Sequence, residues 1–169
     1  MQANRALSYD YSVAKCFTHA TILFGIVGML IGVIIAYQMA FPSLNYLAGE
    51  YGTYSRLRPL HTSGVIFGFL LSGIFASWYY IGQRVLKVSM AESPFLMFIG
   101  KLHFWLYMIL MVVAVVNLFL GIGTSKEYAE LEWPLDILVV VVWVLWGLSI
   151  FGLIGIRREK TLYISMWYF

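Results

Sequence analysis

Four long apolar runs divide the chain. Residues 17–41, 59–81, 95–122 and 135–156 consist almost entirely of aliphatic and aromatic side chains, and polar, glycine-bearing or proline-bearing stretches separate them. At 1.5 Å per residue each run is long enough to cross a ~30 Å hydrocarbon layer as a helix. A shorter apolar stretch, residues 163–169, reads as the opening of a fifth span that stops in mid-helix, so the sequence reads as truncated. The expected fold is all-α: a polytopic transmembrane helical bundle of four complete spans plus the start of a fifth.

The punctuation between the runs supports these boundaries. Pro42 ends the first run. Pro59 opens the second, a favoured place for proline because an N–H there would have no helical partner. Gln83, Arg84 and Lys87 close that second run, with Trp78, Tyr79 and Tyr80 expected as its interfacial aromatic belt. Between Pro42 and Pro59, the residues Tyr46, Gly49, Tyr51, Gly52 and Tyr54 suit an ordered interfacial loop. Inside the first run Gly25, Gly28 and Gly32 recur at helical spacing, and the last two form a GxxxG pair that lets another helix approach closely. His19 and Gln38 lie near its two ends, where their polar tips are expected to reach the interface. The fourth run is nearly featureless apart from Trp143 and Trp146, and RREK at 157–160 terminates it.

Composition narrows the class further. With 62% hydrophobic and only 11% charged residues, the chain falls outside the soluble globular range. Its net charge of +3 does not point to nucleic acid, because the basic residues sit scattered at the ends of apolar runs. The single cysteine, Cys16, excludes an internal disulfide framework, a CxxC pair and a CxxCH haem attachment site, and is expected to be a small apolar filler. No small-residue cleavage site follows the first run, so the polar arm over residues 1–15 leads into an uncleaved span. Of the 11 Lys and Arg residues, Arg5, Lys15, Arg84, Lys87, Lys101, Arg157, Arg158 and Lys160 fall on one side of the bundle; Arg56, Arg58 and Lys126 fall on the other. Because cytoplasmic flanks carry excess Lys and Arg, the N-terminus is expected in the cytoplasm, with the connections at 42–59 and 123–134 outside. Glu50, Glu127, Glu130, Glu132 and Asp136 follow the outer side.

The candidate chemistry lies in RLRPLHTSGVIFGF, residues 56–69, where a histidine stands just inside an apolar run behind two arginines. Beneath His61 on an ideal helix lie Gly64, Gly68, Ser72 and Ala76, a stripe of small residues against which a flat macrocycle could rest. Arg56 and Arg58 have the charge and fork geometry to bind haem propionates. Plain helix packing, membrane anchoring by the arginines and a histidine that hydrogen-bonds a neighbour explain the same residues. His19 and His103 lie toward the opposite ends of their spans, with a difference in depth of ~20 Å between His61 and His103. If His61 is a haem ligand, neither of the other two histidines can share that haem with it, and His61 must find its axial partner elsewhere.

Taken together, RLRPLHTSGVIFGF, the following ASWYY and the acidic KEYAELEWPLD at 126–136 resemble subunit I of cbb3-type cytochrome c oxidases, within the haem–copper oxidase superfamily. The resemblance covers residues 1–169 and implies the N-terminal part of a single transmembrane oxidase subunit I domain. It implies that His61 is one axial ligand of the low-spin haem b, that the high-spin haem b and copper are held by residues absent here, and that Glu127 and Glu130 contribute to a calcium site at the haem propionates. The implied partners are other oxidase subunits carrying c-type haems, cytochrome c as electron donor and the lipid bilayer of a bacterial inner membrane; the implied activity is cytochrome c oxidation coupled to oxygen reduction and proton pumping. Two other readings stay open on the residues alone: the large subunit of nitric oxide reductase, which shares the RxLHT pattern, and a non-enzymatic membrane module whose small stripe serves only helix contact.

Overall fold

The computed structural model describes residues 8–47 and 49–169. Four helices in it are long and apolar enough to cross a membrane: α1, Ser12–Ala40; α2, Tyr54–Leu86; α3, Pro94–Leu120; and α4, Trp133–Gly155. No strand occurs among the described residues. The expected arm at residues 1–15 and the charge at Arg5 fall partly outside them.

The helix ends differ from the apolar runs for identifiable reasons. α1 begins five residues before the expected Phe17, because Ser12 to Cys16 continue the helical ladder beneath Asp10, whose carboxylate accepts from the Ser12 N–H at 2.8 Å. α2 begins at Tyr54, so Pro59 lies inside the helix rather than at its start. The Tyr54 N–H donates to Asn45 Oδ1 at 2.9 Å, a cap supplied from the preceding connection that no local motif announces. α3 starts at Pro94 behind Ser93, whose hydroxyl accepts from the Leu96 N–H, and ends on Gly121 in the left-handed region at φ 73°. The left-handed Lys87, at φ 55°, stops α2. In residues 163–169, Ile164–Trp167 make one 3₁₀ turn, with Met166 buried and Phe169 packed on Trp78 at 5.5 Å between ring centroids. So short a segment forms few i→i+4 bonds, and its packing against the bundle decides its shape.

α1 and α2 run antiparallel and touch along a ladder of small residues. Cβ atoms built at Gly32, Gly28 and Gly25 would fall against His61, Val65 and Phe69 respectively, and one at Gly73 would meet Thr21. The GxxxG expectation is met. Within α2, residues Gly64–Leu70 are wound as a π-helix, and α-helical geometry resumes at Leu71.

The interior of the bundle is aromatic. Phe17, Phe75, Trp78, Tyr79 and Tyr107 are almost wholly buried, Phe17 stacks on Tyr79 at 5.7 Å, and Phe75 meets Trp146 edge-on at 4.9 Å. Trp78 and Tyr79 therefore belong to the core and not to an interfacial belt; of that expected trio only Tyr80 is exposed. Outward, large apolar side chains dominate, among them Ile22, Ile26, Leu30 and Val33 along α1. Helices clad this way need lipid or further protein around them.

At one end of the bundle Gln83 is fully buried and ties three segments together: its amide N–H₂ donates to the Asp10 and Tyr79 carbonyls, and its Oε1 accepts from the Met90 N–H at 2.9 Å. Lys87–Glu159 and Arg158–Glu92 ion pairs flank it at 2.6 and 2.8 Å. This end gathers most of the basic residues, in agreement with the charge partition read from the sequence. At the other end Gln38 is buried instead of reaching an interface, because the connection folds back and offers it the Gly52 carbonyl at 2.6 Å. Cys16, expected as a filler, is exposed on α1, as is His19.

Candidate functional site

The site begins with a missing side chain. Gly32 has no Cβ, and the space is taken by the His61 ring: a Cβ there would stand 2.5 Å from His61 Cε1 and 2.9 Å from Nδ1. With the ring laid on α1, Nδ1 comes 2.8 Å from the Gly28 carbonyl oxygen. A carbonyl only accepts, so Nδ1 is the donor in this bond. Nε2 takes no hydrogen bond among the described residues. One ring nitrogen is thus oriented by a backbone carbonyl, a restraint also used in general to fix metal-ligating imidazoles.

The arginines lie at the same end. Arg58 Nη1 donates to Glu127 Oε1 at 2.8 Å. Arg56 lies 3.9 Å from Glu50 and drapes over Gly121 at the C-terminus of α3, where a Cβ would collide with its guanidinium. Its positive charge there complements the helix dipole. Glu130 is 8% exposed; its Oε2 accepts from Ser63 Oγ at 3.4 Å, and its Oε1 is buried without a partner. That carboxylate stands at the rim of a cavity of about 250 Å³ between α2, α3 and α4, whose lining includes Gly64, Phe67, Tyr107, Met111 and Trp143. Glu127 and Glu130 thus part company, one to Arg58 and one to Ser63. No group of three or more His, Cys, Asp and Glu side chains converges among the described residues.

The small stripe is not the straight strip expected. Gly68 packs under the Phe24 ring of α1, Gly64 faces open space where a Cβ would meet nothing within 4 Å, and the buried Ser72 turns to Tyr107. The π turns between His61 and Leu71 cause the dispersal, since they change the angle from one residue to the next. His103 is fully buried among Phe17, Phe75 and Tyr107, with Nδ1 2.9 Å from the Tyr79 hydroxyl. Phe75 and Tyr79 lie about four to five turns beyond His61 on α2, which keeps the two imidazoles ~20 Å apart in depth. Gly28 and Gly32 were legible as a packing pair, yet their part in seating His61 was not read from them; the signal available was that an antiparallel α1–α2 hairpin sets Gly32 level with His61.

A bundle of apolar helices with an oriented imidazole near one end defines a polytopic membrane protein. Comparison with known proteins is specific. The family model described as cytochrome c and quinol oxidase polypeptide I matches residues 12–169. The chain is 40% identical over its whole length to the cbb3-type cytochrome c oxidase subunit CcoN1 of Stutzerimonas stutzeri, covering 35% of that protein. It is 42% identical over 165 residues to cytochrome c oxidase subunit 1 of Rhodobacter capsulatus, covering 95% of this chain and 30% of the relative. The chain belongs to the cytochrome c and quinol oxidase polypeptide I family, and it spans about a third of the length of these relatives. Bacterial relatives and four apolar helices are consistent with a multi-pass protein of the bacterial inner membrane.

Proposed function

We propose that the chain is the N-terminal part of the catalytic subunit of a cbb3-type respiratory terminal oxidase, and that its own contribution is one axial ligand, His61, of the low-spin haem b. The observation that carries this reading is the His61–Gly28 hydrogen bond, which engages Nδ1 and fixes a ring seated against Gly32. The intact enzyme would oxidise cytochrome c delivered through subunits carrying c-type haems, reduce oxygen to water and pump protons. High-spin haem b, copper and the second axial ligand would come from residues outside this chain. The haem b supplies reversible one-electron carriage when bound.

In that role the residues present do separate work. The Gly28 carbonyl holds the imidazole tautomer and plane, and Gly32 lets the ring approach α1. Arg58 uses one guanidinium nitrogen on Glu127 and keeps further N–H donors for a propionate; Arg56 brings a second guanidinium to the same end. Gly64 leaves an open flank on α2, and Gly68 lets Phe24 close in beneath. A calcium ion would take one oxygen from Glu130, while Glu127 is committed to Arg58, so its remaining ligands would lie outside these side chains. The N-terminus is assigned to the cytoplasm by its basic residues, which sets His61 toward the outer face. The relatives carry cytochrome c oxidase names, which favours oxygen over nitric oxide as substrate.

The test uses the intact oxidase. His61→Ala is expected to abolish the low-spin haem b band in the reduced-minus-oxidised spectrum while subunit assembly, followed by gel, persists. An unchanged low-spin band in that variant overturns the assignment.

A further inference from the structure

We infer that Tyr107 is a positioning residue for His61: its hydroxyl holds the π turns that separate His61 from the anchored half of α2, and those turns set the direction in which the imidazole points. The inference rests on the haem-ligand role proposed for His61.

The physical problem lies in the winding of α2. Its lower half is locked by burial of Ser72, Phe75, Trp78, Tyr79 and Gln83. Its upper part carries Arg56, Arg58 and His61. Between them Gly64–Leu70 follow the π pattern, and the Leu71 N–H reaches back five residues to the Ile66 carbonyl. A π turn amounts to one residue inserted into an α-helix. Were it rewound as α, everything above it would rotate by about 100° and shift by ~1.5 Å relative to the anchored half. That rotation carries the His61 ring off Gly32 and away from the Gly28 carbonyl.

Returning from i→i+5 to i→i+4 bonding leaves a carbonyl short of a helical N–H. The Phe67 carbonyl, next after Ile66, receives the Tyr107 O–H from α3. The same Tyr107 oxygen accepts from Ser72 Oγ at 3.1 Å, on the first turn of restored α-helix. One hydroxyl therefore holds a carbonyl inside the π segment and a side chain just beyond it. Tyr107 is itself 1% exposed and wedged against Phe17 and Phe75 at 5.7 and 5.3 Å, so it is a fixed post. A phenylalanine there fills the same space but leaves the Phe67 carbonyl without its donor.

The test compares Tyr107→Phe, Ser72→Ala and His61→Ala with a packing control, Leu110→Ala, in the intact oxidase complex. Two readouts are taken: amide hydrogen exchange over residues 64–72, and the largest g value of the ferric low-spin haem, which reports the orientation of its axial imidazoles. Tyr107→Phe is expected to retain haem, to speed exchange over 64–72 by ~3–10-fold, the factor one lost hydrogen bond gives, and to displace the g value. Leu110→Ala is expected to lower thermal stability with neither change. Wild-type exchange and g value in Tyr107→Phe overturn the inference. If Tyr107→Phe does not assemble, Ser72→Ala decides: a smaller displacement in both readouts supports the inference, and none overturns it. His61→Ala separates the two ideas, because a low-spin signal that survives it defeats the ligand assignment alone, while exchange over 64–72 still reports whether Tyr107 holds the turn.

Discussion

Gly32 and His61 share one volume: the imidazole occupies the space in which any other residue at position 32 would carry its Cβ, 2.5 Å from Cε1. Gly32→Ala must push the ring away from α1 and break its bond to the Gly28 carbonyl. Overpacking of this kind costs ~1–3 kcal/mol. The expected outcome is loss or displacement of the low-spin haem band. Gly25→Ala, opposed by the Phe69 ring edge at 2.9 Å, should lower thermal stability and leave that band in place.

The Arg58–Glu127 pair predicts opposite potential shifts. Removing a positive charge near a haem favours the more positive oxidised state, so Arg58→Ala is expected to lower the low-spin midpoint potential, and Glu127→Gln to raise it. As a stability element the pair counts for little, because both side chains are exposed and screened. Redox titration of the two variants checks the signs.

Gly121 meets two demands at once, a left-handed φ of 73° and the guanidinium of Arg56 lying where a side chain would be. Gly121→Ala is expected to destabilise the intact complex by more than ~1 kcal/mol, seen as a lower unfolding temperature. Combining it with Arg56→Ala should recover only the steric part, because the backbone conformation still disfavours alanine.

Gln83 satisfies backbone groups from three segments in a fully buried place. Gln83→Leu keeps the apolar volume and strands the Asp10 carbonyl and the Met90 N–H, at ~1–3 kcal/mol for each buried group left unpaired. A thermal shift assay of the assembled oxidase should place this among its most damaging conservative substitutions at that end of the bundle.

The Lys87–Glu159 pair gives a pH window. The hydrogen bond from Lys87, followed by its charge, holds the Glu159 carboxyl below its ordinary 4.5, and Glu159 holds the ammonium above its ordinary 10.5. A depressed carboxyl contributes stability that is present above the unfolded value and lost as pH falls through the folded one; a raised ammonium contributes stability that is present below its unfolded value and lost as pH rises through the folded one. The tie is therefore expected to hold between the two ordinary values and to fail as pH falls through the lowered Glu159 value. Thermal stabilities of wild type and Glu159→Gln should differ at neutral pH and converge in acid.

Much of the molecule was legible along the chain because a hydrocarbon solvent imposes strict local rules. Backbone groups without water must pair within a helix, so four apolar runs of sufficient length had to become α1 to α4, and the basic residues between them had to collect as the bundle's connections dictate. The lone His61 behind Arg56 and Arg58, and its wide separation in depth from His103, followed from the helical rise alone. Other features depended on contacts between distant residues. Pro59 stands inside α2 because Asn45 caps Tyr54 from another segment, and Trp78, Tyr79 and Gln38 are buried because neighbouring elements close over them. The π turns at Gly64–Leu70, which dispersed the small stripe, are matched by a hydroxyl from α3. Sequence alone determined which segments become spanning helices and which imidazole stands near the end of one, since periodicity and burial in an apolar medium are local properties. Only the tertiary structure decided where that imidazole points, because its direction depends on Gly28, Gly32 and Tyr107, residues of two other helices that a one-dimensional pattern cannot bring to the same place.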